Sequence, residues 1–281
     1  MTEGQASIAT SGREGNNLLL RIVASLVMAP LAVAMAYVGG WLWVGLVTVA
    51  AIGLYIEWLA VIGMRKPRLV LLGVLILLGA GWIDLGHINE IYVSALVALG
   101  VLAVAIVSSE RRIWSAVGIS YALAASIASS AVRLDPVSGF AALMLVLLVV
   151  WVTDIGGYFA GRLIGGPKLW PQVSPKKTWA GALGGFVASL GVAGGFAAFN
   201  FGKIVPMLVL GAVLSVASQL GDLFESAVKR KFGVKDSSHI IPGHGGLMDR
   251  LDGFVAAIVL AALFGFLRGG ADGVGRGLMV W

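Results

Sequence analysis

Residues 204–267 read IVPMLVLGAVLSVASQLGDLFESAVKRKFGVKDSSHIIPGHGGLMDRLDGFVAAIVLAALFGFL. Two apolar runs, each close to the ~20 residues that cross ~30 Å of hydrocarbon, enclose a charged stretch from Asp222 to Asp252. That alternation decides the fold: a membrane span, a polar segment at its end, and a second span. Asp222, Glu225, Ser226 and Lys229 fall at i, i+3, i+4 and i+7, so a helix puts all four on one face. Asp249 and Asp252 follow a Gly-His-Gly-Gly turn at an expected helix start, where the macrodipole favours carboxylates. Two acidic helix ends flanking a basic, glycine-containing loop suit divalent cations and a polyphosphate.

The rest of the chain repeats the apolar theme. Of 281 residues, 59% are hydrophobic and 12% charged, the charged share being about half that of a soluble domain. The expected architecture is an all-α polytopic integral membrane protein with about nine spans, near residues 18–38, 41–63, 68–86, 92–108, 114–132, 139–164, 179–200, 204–224 and 250–268. Residues 1–17 form a polar tail, 18–138 the N-terminal transmembrane helices and 139–281 the C-terminal region that carries the chemistry. Ala-Val-Ala and Ala-Met-Ala in the first span resemble a signal-peptidase site, but the long polar lead and the later spans favour retention. With no Cys in the chain, disulfides, palmitoylation and thiol catalysis are excluded.

Charge sets the direction. Sixteen of the 20 Lys and Arg lie at the start or in alternate loops, and only Arg133, Lys203, Arg268 and Arg276 lie in the others. The positive-inside rule then places the N-terminus in the cytoplasm and the C-terminus outside. The net charge of +6 reflects this topology rather than nucleic-acid binding. Under it, Asp154, the 174–178 loop, Asp222 and the Asp249/Asp252 pair all reach the cytoplasmic ends of their spans. The membrane is expected to be a bacterial inner membrane, its lipids in contact with the chain; a homodimer is compatible with the sequence.

An ionisable group at membrane depth is a functional candidate, and Asp154 shares a helical face with Tyr158 and Arg162. Pairing with Arg162 or a neighbouring helix is its plain structural alternative. In Ser174-Pro-Lys176-Lys177-Thr178 the hydroxyls and ammonium groups suit phosphate beside a helix N-terminus; a topology signal in contact with anionic lipid is the alternative. Asp222 and Asp249, with Asp252 beside them, are the expected ligands of Mg²⁺, a hard cation held by one or two carboxylates with phosphates and water. His244 suits a hydrogen-bonding or turn role. His87 and His239 are read as bland. Glu57 admits snorkelling or helix pairing as readily as a catalytic task. Trp41, Trp43, Trp58, Trp82, Trp114 and Trp179 are expected to form an interfacial belt.

Ser226-Ala-Val-Lys229-Arg230, then Lys235-Asp236, then Pro242-Gly-His244-Gly245-Gly246-Leu-Met-Asp249-Arg250-Leu-Asp252 resembles the signature of the CDP-diacylglycerol synthases, or phosphatidate cytidylyltransferases. Every fixed position of that pattern is filled across 27 residues. The Asp154–Arg162 and 174–181 segments are similar to the family as well, except that Ala180 stands where the family has Glu or Gln. The resemblance implies that phosphatidate and CTP give CDP-diacylglycerol and pyrophosphate, with Mg²⁺ and more than one cation per site. On this reading catalysis falls to Asp222, Asp249, Arg250, Asp252 and Lys229. Substrate binding falls to Asp154, Arg162, Ser174, Lys176, Lys177, Thr178, Ser226, Arg230, His244, Gly245 and Gly246. The alternatives are a CTP-dependent lipid kinase, which would move the γ-phosphoryl, and an ion-coupled transporter, which would turn over no nucleotide.

Overall fold

A computed structural model of the chain describes residues 27–85, 90–238 and 245–281. The described residues are overwhelmingly helical: α1 (Val27–Val38), α2 (Gly40–Val61), α3 (Pro67–Leu85), α4 (Glu90–Val107), α5 (Arg112–Leu134), α6 (Gly139–Leu163), α7 (Trp179–Ala198), α8 (Ile204–Lys231), α9 (Met248–Gly269) and α10 (Val274–Met279). Such Leu-, Val- and Ala-rich runs form helices because no water inside a bilayer can satisfy the backbone otherwise. Among the described residues seven helices, α2, α3 and α5–α9, are long and apolar enough to cross a membrane. The described part of α1 and the apolar stretch Tyr92–Val107 of α4 fall within the first and fourth expected spans.

Two features depart from the sequence reading and a third extends it. The segment expected as a loop at 174–178 is the second strand of a small antiparallel hairpin, β1 (Lys168–Trp170) and β2 (Ser174–Thr178). α8 continues through Lys231, past the apolar span expected to end near 224, in keeping with the helical spacing of Asp222 to Lys229. Its amphipathic last turns bond internally, Lys229 pairing with Glu225 at 3.0 Å, so the helix outlasts its apolar run. The tryptophans also divide. Trp41 and Trp82 are exposed, whereas Trp43 and Trp58 are buried, their ring N–H groups donating to the carbonyls of Ser129 at 3.1 Å and Trp114 at 2.8 Å. These two belong to the core rather than to an interfacial belt.

Two apolar clusters form that core. One joins Trp43 and Val47 to Val146, Leu210 and Ile258; the other joins Tyr55, Trp58 and Leu77 to Val228 and Val255. Both draw side chains from before and after residue 139, so the N-terminal helices are packed into the C-terminal half. Arginines close helix ends whose last carbonyls lack partners: Arg133 bonds the carbonyls of Ala36 and Tyr37, and Arg111 that of Ile62.

The polar contacts separate two ends of the bundle. At one end Lys66 meets Glu110, Lys231 lies over the Trp114 ring, Arg230 reaches the hairpin and Glu57 meets the start of α9. At the other end Asp135 holds Arg276 of α10.

Candidate active site

The site starts from a seam of small residues. α6 carries Gly156, Gly157, Ala160 and Gly161, and α7 carries Gly181, Gly184 and Gly185, so the two backbones meet. A Cβ on Gly181 would lie 2.8 Å from the Gly157 carbonyl; a small residue is required there, as in close-packed membrane helices. Thr178 caps α7 by accepting the Gly181 N–H at 3.1 Å. This fixes β2, with Lys176 and Lys177, beside the end of α6 that carries Asp154, Tyr158 and Arg162. α8 and α9 approach as closely: a Cβ on Gly221 would lie 2.6 Å from the Asp252 carbonyl, which sets Asp222 beside Asp252.

These elements enclose an open cavity of about 600 Å³. Its lining includes Asp154, Tyr158, Arg162, Lys176, Lys177, Thr178, Gln219, Asp222, Asp249, Arg250 and Asp252. Lys177 donates to the Asp222 carboxylate, and Ser226 reaches the other oxygen at 3.4 Å. Arg162 donates to the Tyr158 hydroxyl at 2.7 Å. Asp154, Asp222 and Asp252 thus face one cavity from α6, α8 and α9. Three converging carboxylates with one ammonium group among them fit further positive charge. Among the described residues no group of three acidic or imidazole side chains forms a metal cage. One or two carboxylates with substrate phosphates suffice for Mg²⁺, a number that Asp154, Asp222 and Asp252, lining one cavity, supply between them.

Asp249 is employed differently. Its Oδ1 accepts from Lys229 at 2.5 Å. Its Oδ2 accepts from the Ser237 N–H at 3.1 Å, the Ser237 hydroxyl at 2.9 Å and the Gly246 N–H at 3.0 Å. Lys229 also pairs with the buried Glu225. The carboxylate faces the cavity while its oxygens hold a loop and a lysine.

Several expected residues stand outside the lining. Ser174 begins β2, and Arg230 lies against the carbonyls of Val173 and Val234, tying the hairpin to α8. Ser226 and Lys229 support Asp222 and Asp249 from behind. Gly246 is buried, and Gly245 takes a φ of 84° that favours glycine. His244, His239 and His87 lie outside the described residues. Ala180 sits in the first turn of α7. Sequence reasoning gave too little weight to Gln219, which donates to the Ala182 carbonyl at 3.3 Å, and to Glu57, which is buried at the entry to α9. A lone Glu inside an apolar span, at its basic-loop end, was the available signal for the second.

A second cavity, of about 390 Å³ and mostly apolar, opens between α1, α2, α5, α6 and α9. It shares Asp154, Arg250 and Asp252 with the first.

Comparison with known proteins agrees with the chemistry of this lining. The sequence model of the Cytidylyltransferase family matches residues 19–267. A phosphatidate cytidylyltransferase of Brucella suis biovar 1 is 39% identical over 273 residues, covering 89% of this chain and 94% of that protein. Enzymes of the same name from Haemophilus influenzae and Staphylococcus haemolyticus are 43% identical over 138 residues and 49% over 121. These shorter matches cover 47% and 42% of this chain and 48% and 46% of those proteins. With a site of carboxylates, lysines and arginines at one end of its apolar bundle and a family match spanning most of its length, the chain belongs to the cytidylyltransferase family.

Proposed function

We propose that this membrane protein is a phosphatidate cytidylyltransferase, converting phosphatidate and CTP to CDP-diacylglycerol and pyrophosphate for phospholipid synthesis. The observation that carries the reading is the meeting of two cavities. A charged one of about 600 Å³ and an apolar one of about 390 Å³ share Asp154, Arg250 and Asp252. A triphosphate suits the first and acyl chains the second, so the headgroup of a diacyl lipid falls where the two meet.

The chemistry follows from charge. A phosphatidate oxygen attacks the α-phosphorus of CTP, a new P–O bond forms, and the bond to the β-phosphate breaks with its electron pair leaving on pyrophosphate. The attacking phosphate is already anionic near neutral pH, so no strong base is needed. The obstacle is repulsion between two polyanions. Lys176, Lys177 and Arg162 at the rim offset it by binding phosphate oxygens, and Arg250 does so at the junction. Asp154, Asp222 and Asp252 would hold Mg²⁺, which supplies charge neutralisation at the transferring and leaving phosphates when bound. Lys177, paired with Asp222, links the lysine hairpin to that carboxylate set.

The orientation belongs to the same proposal. The bundle end that holds the site also holds most of the basic loops, which supports a cytoplasmic placement in a bacterial inner membrane. The kinase and transporter alternatives find no support among the relatives. Incubating purified protein with CTP, Mg²⁺ and phosphatidate tests the reading: pyrophosphate release should require both substrates and match CDP-lipid formation. Lipid-independent release, or none, would defeat it.

A further inference from the structure

Glu57 is far in sequence from every residue of the site, yet its carboxylate is 1% exposed and faces four donors. Oε1 accepts the Ser238 hydroxyl at 2.6 Å and the Leu247 N–H at 2.9 Å. Oε2 accepts the Met248 N–H at 2.8 Å and the Ser237 hydroxyl at 2.9 Å. Leu247, the residue at the N-cap of α9, has no side chain able to cap it. A carboxylate from α2 therefore does so from another helix, where the dipole and the first N–H groups favour negative charge.

The second contact leads to the cavity. The Ser237 hydroxyl lies 2.9 Å from Glu57 Oε2 and 2.9 Å from Asp249 Oδ2. It has one proton, so it serves one carboxylate at a time while its position is fixed by both. Asp249 Oδ2 further depends on the N–H groups of Ser237 and Gly246, both adjacent to residues that Glu57 holds. There is no slack: a Cβ on Gly246 would lie 2.6 Å from Glu57 Oε2.

We infer that Glu57 is a positioning residue for the nucleotide and cation site, setting Asp249 through Ser237 and fixing the first turn of α9 that also carries Arg250 and Asp252. The N-terminal helices thus contribute to the reaction rather than only to insertion. This rests on the cytidylyl-transfer reading for its kinetic consequence, but its structural part does not.

The experiment pairs a structural with a kinetic readout on full-length protein in detergent. Amide hydrogen exchange is followed over 237–250 in Glu57→Gln, Ser238→Ala and an exposed control, Glu110→Gln. CTP and Mg²⁺ titrations at saturating phosphatidate are run on the folded fraction of each. Glu57→Gln is isosteric but turns an amide N–H₂ toward N–H and O–H donors. It should speed exchange at 246–248 while the middle of α6 stays protected. It should also lower kcat/KM for CTP at least tenfold and raise the half-saturating Mg²⁺ at least tenfold. Ser238→Ala should shift both readouts the same way, about two- to fivefold, and Glu110→Gln neither. Faster exchange with unchanged CTP and Mg²⁺ dependence would reduce Glu57 to a structural staple and overturn the inference, as would unchanged exchange. If Glu57→Gln does not fold, Ser238→Ala with Ser237→Ala decides by the same two readouts, and wild-type behaviour in both overturns it. Absence of cytidylyl transfer in the wild type would defeat the activity reading instead, while the exchange data still judged Glu57.

Discussion

Replacing Lys177 by Gln removes the one ammonium group that the structure bonds to Asp222. The side chain keeps most of its length, β2 keeps its backbone pairing with β1, and the change is confined to charge. Three carboxylates, Asp154, Asp222 and Asp252, then face the cavity without that cation. A hydrogen bond to a charged group is worth roughly 1.5–3 kcal/mol. The two side chains are 30% and 28% exposed, and solvent screening moves the value toward the lower end. About 1.4 kcal/mol is tenfold in an equilibrium or rate ratio, so kcat/KM for CTP should fall about tenfold. Lys176 is exposed and lines the same cavity without an ion pair to Asp222, so Lys176→Gln should raise KM for CTP and leave kcat nearly unchanged. The assay is a CTP titration on purified variants at saturating phosphatidate, beside Lys66→Gln, whose partner Glu110 is remote from the cavity. If Lys177→Gln matched the Lys66 control in both kcat and KM, the argument that this ion pair organises the site would be wrong.

Asp222→Asn should abolish turnover with an unchanged unfolding temperature; near-normal activity at ordinary Mg²⁺ would remove it from the cation site. Gly181→Leu must separate α6 from α7, and overpacking of this kind costs about 1–3 kcal/mol. A lowered unfolding temperature with loss of activity is expected, and a variant with wild-type values in both would refute the seam. Burial works against ionisation of Asp135, but the N–H groups of Ser138, Arg276 and Val137 and the Arg276 guanidinium more than offset it, holding the carboxyl below its ordinary range. A depressed folded-state pKa contributes stability in full above the ordinary aspartate value, and that contribution is lost as pH falls through the depressed one. Asp135→Asn should therefore unfold at lower temperature than wild type at neutral pH, the gap closing in acid; a gap independent of pH would contradict this.

The spans were legible because apolar run length is dictated by bilayer thickness, and the alternating basic loops marked the bundle end that carries the site. The face shared by Asp222, Glu225, Ser226 and Lys229 was legible from helical spacing, and so was the placement of Asp249 at a helix start. The hairpin was not, because strands of three and five residues containing Pro175 and three lysines show no usable alternation. Nor was the bonding of Asp249, whose partners Lys229, Ser237 and Gly246 converge only in three dimensions. Glu57 stayed ambiguous since its four donors lie about 180 residues or more away. Trp43 and Trp58 sit near span ends in sequence but face carbonyls of α5, a choice made by packing rather than by position.

Transfer of a cytidylyl group to a lipid phosphate sends each CTP phosphorus to a different product. The most direct measurement follows the phosphorus atoms, with CTP labelled at either the α or the γ position, supplied with Mg²⁺ and phosphatidate. Cytidylyl transfer places the α label in the lipid and the γ label in pyrophosphate, and Asp222→Asn should do neither. A γ label appearing in the lipid fraction would contradict the account.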